Sequence, residues 1–242
     1  MRNTDYQAPD LGRLPRSRLD SMLRGAEEVR ECYRVLKKGG LNIVGEVLRG
    51  QGKFYQMNHY PDGDVYDPDT HAQYYYHSHR SNKYEHGHFH TFLRYAGMPQ
   101  DARPVPYEGD EPWPEGDEAL SHLIGISMDK QGFPIGLFAV NRWVTGDTWY
   151  QAADVIQMLD YFVVDHAYPS WPTNRWISAM ISFYYPQIVE LIKQRDNVVA
   201  AWAEKYPNVD VYEDRKLEIT GFVNISDDEQ INVIKTTLQQ VS

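Results

Sequence analysis

The chain has 242 residues, a single cysteine, and 34 acidic against 24 basic residues, for a net charge of −10. That balance excludes nucleic acid as the main partner, because phosphate backbones need a basic surface, and it disfavours anionic membranes. With Cys32 alone there is no intrachain disulfide and no thiolate cluster, so a metal site must be built from nitrogen and oxygen.

Hydrophobic content of 42% and charged content of 24% are those of a soluble globular protein. No run of 18 apolar residues is present, and MRNTDYQAPDLGRLPRSRLD lacks the apolar core of a secretory signal. A cytoplasmic protein is expected. The length suits a single domain over 1–242 with a substantial core.

Residues 1–14 read as a flexible arm. The span 15–40 reads as a helix opened by Pro15, with Leu19, Met22, Leu23, Ala26, Val29, Tyr33 and Leu36 at helical spacing and Gly39-Gly40 as its stop. Leu41–Arg49 is apolar but too short to assign. From residue 53 to 144 the period shifts towards two, with strands expected at 53–59, 71–80, 85–94, 119–128 and 134–144. Pro61-Asp62-Gly63-Asp64 is a turn signal between the first two. The segment 97–118 holds five prolines and seven acids against one arginine, and reads as an acidic surface loop that is either a lid or a solvated linker.

The region 147–206 is helical in pattern. Asp147 is placed to cap a helix carrying Trp149, Ala152, Ala153, Ile156, Leu159 and Val163. Pro172 starts another helix, Pro186 must break or kink it, and Ile188, Leu191, Ile192, Val198, Val199 and Trp202 resume the stripe. The span 215–240 reads as a strand over 215–224 followed by a helix with a capping box at Ser226 and Glu229. Strands in a run followed by helices predict an α+β fold with an antiparallel sheet of about five to six strands.

Seven of the nine histidines lie between His59 and His90, and five of them alternate in His77-Ser-His79 and His86-Gly-His88-Phe-His90. Alternate residues of a strand share a face. With Asn82-Lys83 as a two-residue turn, His79 opposes His86, His77 opposes His88 and Tyr75 opposes His90. Opposed Cβ atoms lie roughly 4.5–5.5 Å apart, close enough for imidazoles to share an ion. Any turn of even length keeps all five histidines on one face; an odd one separates them unless a bulge compensates. Strict alternation in 119–128 puts His122 in a row with Leu120, Ile124, Ile126 and Met128, pointing inward.

Three or four ligands are typical for one ion, so the expected metal ligands are His77, His79, His88 and His122, with His86 and His90 as catalytic or outer groups. Glu85 faces away in an ideal pleat and joins only through a bulge at the turn. Arg80 and Arg94 can hold a carboxylate or phosphate, and Tyr75, with Tyr74 and Tyr76, can line a substrate wall. Asp62, Asp64, Asp67 and Asp69 read as turn chemistry before calcium, and His166 sits at a helix end. A histidine-rich face also has plainer readings, as solvated surface or as a scavenging site for metals.

The expected cofactor is therefore one transition-metal ion, with Fe(II) or Zn(II) favoured. The expected protein is a metal-dependent enzyme, oxygenase-like or hydrolytic, that activates dioxygen or water on a small organic substrate. The alternatives are a metal or haem binding or sensor protein without catalysis, and a nucleotide hydrolase or transferase acting through a histidine nucleophile. A homo-oligomer is compatible with the last helix and the acidic loop.

Three resemblances attach to these residues. His77-Ser-His79, then Glu85 after a slightly long gap, then Pro134-Ile-Gly136, resembles the motifs of cupins, small metal-binding barrels. Ala139 stands where that family has its later histidine, so His88, His90 or His122 must supply the missing ligand. His86-Gly-His88-Phe-His90-Thr-Phe92 resembles the signature of histidine-triad nucleotide hydrolases and transferases, which implies His88 as nucleophile. The family's glycine-rich approach is absent from Ser81-Asn-Lys-Tyr-Glu85. HYPDGDVYDPDTHAQYYYHSHR with EHGHFHTFLR resembles an uncharacterised bacterial family and implies no activity.

Overall fold

The period-two segments form one six-stranded antiparallel sheet in which each strand pairs with the next along the chain. The computed structural model describes residue 6 and residues 8–79 and 84–240. The strands are β1 Tyr60–Tyr66, β2 Ala72–His77, β3 Glu85–Arg94, β4 Leu120–Asp129, β5 Pro134–Val140 and β6 Ile219–Asn224. Among the described residues the helices are α1 Arg16–Lys38, α2 Ile43–Leu48, α3 Arg142–Thr145, α4 Ala152–Met158, α5 Trp171–Phe183, α6 Tyr185–Lys205 and α7 Asp227–Gln240. None is long and apolar enough to cross a membrane. The architecture is α+β, as the order of periodicities predicts.

One face of the sheet carries Tyr74, Tyr76, Phe89, Leu93, Ile124, Ile126, Met128, Leu137 and Ala139 into the main core. The helices cover that face. α6 lies across β5 and β6, α5 packs on α1, and α1 packs on α7. Leu19, Met22, Ala26, Val29 and Leu36 form the buried stripe of α1, and Trp176, Ile177 and Met180 that of α5. Pro172 stands in the first turn of α5 and Pro186 in the first turn of α6, where a missing N–H costs nothing. The second proline is therefore the boundary between two helices.

Four expectations need correction. The first strand is not 53–59; it is Tyr60–Tyr66, running through the Pro61–Asp64 turn signal. A register shift between Tyr60 and Val65, with Gly63 and Asp64 at positive φ, absorbs the turn residues within the strand pairing. The last part of the expected 134–144 strand is α3. Asp147 caps no helix; its carboxylate accepts the His122 backbone N–H at 2.9 Å and the Thr145 hydroxyl at 2.7 Å, and α4 starts at Ala152. The sheet is an open meander with β1 and β6 at its edges, not the barrel implied by the cupin resemblance, and Pro134-Ile-Gly136 lies in β5 between β4 and β6. The turn Asn82-Lys83 lies outside the described residues. The segment 97–118 contains no strand of the sheet, only short 3-10 turns at its two ends and an isolated bridge from Pro104 to Tyr150.

The face away from the helices is built in cross-strand rows. Tyr75, His90, Gly125, Phe138 and Phe222 are successive partners from β2 to β6. His77, His88, Ser127, Gly136 and Asn224 form the next row, and Gln73, Phe92 and His122 the row on the other side. Gly125 is required here, since a Cβ would lie 2.2 Å from the Phe138 ring. The ring covers the glycine and presents its edge to His88 and His90, with centroids 5.2 and 5.5 Å away. Gly125→Val is expected to lower stability by about 1–3 kcal/mol through overpacking. Urea unfolding measures the loss, and displacement of Phe138 should loosen both imidazoles in the same variant.

Candidate metal centre

The register of β2 on β3 is the one the histidine spacing requires. His77 opposes His88, Tyr75 opposes His90, and the pairing continues unbroken to Ala72 opposite Leu93. His88 and His90 are two apart on β3, so both project from the same face as His77. One ring nitrogen from each of His77, His88 and His90 lies within 4.8 Å of the others. His88 and His90 are completely buried and His77 is 7% exposed, so the three sit away from bulk water.

A bulge at the start of β3 brings a carboxylate to them. Glu85 pairs with Asp129 but Gly87 with Met128, leaving His86 as the extra residue. Glu85 is thereby turned onto the histidine face, where His88 Nδ1–H donates to Glu85 Oε1 at 2.5 Å and the Ser127 hydroxyl donates to Oε2 at 3.2 Å. Gly87 is needed at this crossing, because a Cβ would lie 2.5 Å from the His77 carbonyl oxygen. The carboxylate fixes His88 as the tautomer whose Nε2 carries a lone pair. That Nε2 lies 2.8 Å from His77 Nε2. Two imidazole nitrogens at this separation need a proton or a cation between them, since facing lone pairs repel.

His90 is tied on its other side, with Nδ1 2.9 Å from His122 Nε2. Burial, and secondarily the Arg195 charge, push His122 down to about 3, so its ring stays neutral and exchanges a single hydrogen bond with His90. Burial raises the neighbouring Asp147 carboxyl above its usual range despite the bonds it accepts. His122 reaches this face because a second register shift, between Thr91 and Phe92, breaks the expected alternation of β4. It sits opposite Phe92, while Leu123, Ile124, Ile126 and Met128 all go to the helix-covered core. His122 thus does not share the row of Ile124 and Ile126, and it touches His90 without being one of the converging three.

The remaining candidates divide. The His79 ring is 5.0 Å from those of His77 and His88, at the partly exposed edge of the trio. The same bulge turns His86 to the opposite face, where Nδ1 is 2.7 Å from the Tyr76 hydroxyl and the ring stacks on Phe54. The five alternating histidines therefore do not share one side. Burial, helped by Lys130, lowers the His86 pKa. Tyr75 stands against His77 and His90, with ring centroids 5.2 and 5.3 Å away. Tyr74 and Tyr76 face the core, Tyr74 donating to Asn174 at 2.6 Å. Arg94 lies at the far end of β3, and Arg80 lies outside the described residues. His166 is remote, near the start of α5, where Asn174 donates to its carbonyl.

Two groups escaped the sequence reading. His59, outside the tight cluster in sequence, stacks on Tyr75 with centroids 3.6 Å apart and meets His77 edge-on at 5.5 Å. Its Nδ1–H donates to Asp64 Oδ1 at 3.1 Å. Phe138, 48 residues beyond His90, gives no local signal of its role; only the pairing of β4 with β5 brings it over Gly125.

A family model described as "Domain of unknown function (DUF6969)" matches residues 23–225. The chain belongs to that family. The DUF6969 segment contains all six strands, the histidine trio and Glu85. It agrees with the resemblance to an uncharacterised family and carries no likeness to cupins or to histidine-triad enzymes. No curated protein and no solved structure matches the chain.

Proposed function

We propose that this DUF6969 protein is a histidine-ligated metalloenzyme acting on a small molecule, with His77, His88 and His90 holding one divalent transition-metal ion. The observation that carries the reading is the convergence of three buried imidazole nitrogens within 4.8 Å, one of them backed by a buried carboxylate. A histidine ligand whose other nitrogen donates to a carboxylate is the recurring arrangement of protein metal sites, since the carboxylate orients the ring and raises its basicity.

The donor set favours Zn(II) and the activation of water. Three neutral nitrogens leave the full positive charge on the ion, which when bound would supply Lewis acidity at a coordination position left open by the protein. The common iron oxygenase set has a carboxylate among its ligands, whereas Glu85 is engaged on the far nitrogen of His88. Of Tyr74, Tyr75 and Tyr76, Tyr75 alone shares the histidine face. Tyr75, Phe92 and Phe138 are buried against the trio and keep the local dielectric low, which strengthens charge effects there.

Elemental analysis of protein prepared without an affinity tag tests the reading. After reconstitution with Zn(II) or Fe(II), about one equivalent should remain through gel filtration. Less than about 0.2 equivalents of any transition metal would overturn it. Two or more loosely held, exchangeable ions would instead make the protein a carrier, and a Soret band would make it a haem binder.

A further inference from the structure

The histidine face continues beyond the trio into a second site. Arg94 follows His90 and Phe92 on the same side of β3, about 13 Å along the strand from His90. It lines a cavity of about 510 Å3 with Gly63, Tyr66, His71, Gln73 and Asp117. Arg94 Nε–H donates to Gln73 Oε1 at 2.6 Å and Nη1–H to the Asp117 carbonyl at 3.3 Å. Its guanidinium lies 5.5 Å from the centre of the Tyr66 ring. Arginine has five N–H donors, so three remain without a protein acceptor among the described residues, including one on each terminal nitrogen. That pair is the fork that grips a carboxylate or phosphate.

His71 is the second donor. Its Nδ1 lies 2.6 Å from the Tyr66 hydroxyl; with Tyr66 donating, Nε2 carries the proton. His71 has φ of 61°, a left-handed conformation that glycine or asparagine adopts more readily. The other non-glycine residues at positive φ among those described are Met57 and Asp64. His71 lines the cavity and Asp64 bonds to Gln73 beside it, and residues held in such conformations cluster at binding sites. Asp64, beside the cavity, already accepts from Gln73 at 2.8 Å and from His59, while Asp117 in the lining meets Arg94 through its backbone carbonyl. An unbroken chain thus runs from Arg94 through Gln73 and Asp64 to His59, whose ring covers Tyr75 beside His77.

From this arrangement we infer that the cavity binds the oxyanion of a small molecule, a carboxylate or a phosphate, on the Arg94 fork and His71 Nε2. The site does not depend on the metal reading.

Saturation-transfer NMR with sodium benzoate, phosphorus NMR line broadening of inorganic phosphate, and benzamide as the neutral control test the site in the full chain. At least one anion should bind while benzamide does not, and competition between the two anions identifies the preferred group. Arg94→Gln should weaken binding about ten- to a hundredfold, and Arg94→Lys less, since it keeps the charge and loses the fork. His71→Asn, which tolerates the left-handed backbone, should weaken it about three- to tenfold and serves if Arg94→Gln does not fold. Affinity should be the same in chelator-treated and zinc-reconstituted protein, which separates this site from the metal centre. Equal binding of benzamide and benzoate, an unchanged affinity in folded Arg94→Gln or His71→Asn, or no anion binding at about 20 mM would overturn the inference.

Discussion

Alanine at His77 or His90 is expected to abolish stoichiometric metal binding, whereas His86→Ala should keep close to one equivalent. The two classes separate because the Glu85–Gly87 bulge sends His86 to the Tyr76 side of the sheet while His77, His88 and His90 converge. Removing one of three ligands should weaken binding beyond the roughly 10–100-fold that loss of an outer hydrogen-bond partner causes. Glu85→Gln provides that smaller effect. The amide keeps the size of the side chain and one acceptor for His88 Nδ1–H but loses the charge that raises its basicity, so affinity should fall about 10–100-fold with the fold retained. Chelator competition on each variant measures both. His88→Ala is a poorer probe, because it also removes the Nδ1–H from which buried Glu85 Oε1 accepts and so confuses lost stability with lost ligand. Loss of metal in His86→Ala equal to that in His77→Ala would remove the assignment of the trio.

Much of this geometry follows from period two. A strand that alternates histidine with core residues, followed at a short interval by another, admits few registers, and the one with His77 against His88 is the register found. The sheet and the principal helices were legible for the same reason, since each has a long one-sided stripe. What alternation could not reveal were its own interruptions. A bulge has no signature beyond a glycine with room to be crossed, and Gly87 carries the only local hint of one at the turn. The two register shifts of β3 against β4 decide which polar side chains meet. One rotates Glu85 in and His86 out, and the other detaches His122 from the apolar row of β4. The residues Pro61–Asp64 have the composition of a turn between strands, yet the sheet keeps them within β1 by shifting register. Asp147 had the identity of a helix cap and found a better donor, the backbone N–H of His122, through contact between distant segments. His59 and Phe138 reach the site by tertiary packing alone, and nothing in a single sequence marks that.

The neutral state of His122 should make the protein sensitive to acid. In the folded protein this imidazole titrates near 3, held there by burial and the Arg195 charge, against about 6.5 in an unfolded chain. Below pH 6.5 the unfolded state therefore takes up a proton that the folded state refuses. The contribution of the group to stability is complete above 6.5 and is lost progressively as pH falls from there towards 3. Between pH 7 and pH 5 that loss is about 2 kcal/mol. His122→Gln removes the titrating group while its amide oxygen can still accept from His90. The variant is expected to be less stable than the parent at pH 7 but to lose about 2 kcal/mol less on moving to pH 5. Urea unfolding of metal-free protein at the two pH values gives the four numbers needed. Parallel losses in parent and variant would mean that His122 takes up its proton in the folded state too. The hydrogen bond to His90 would then not hold a neutral ring, and the support of the trio from that side would have to come from elsewhere.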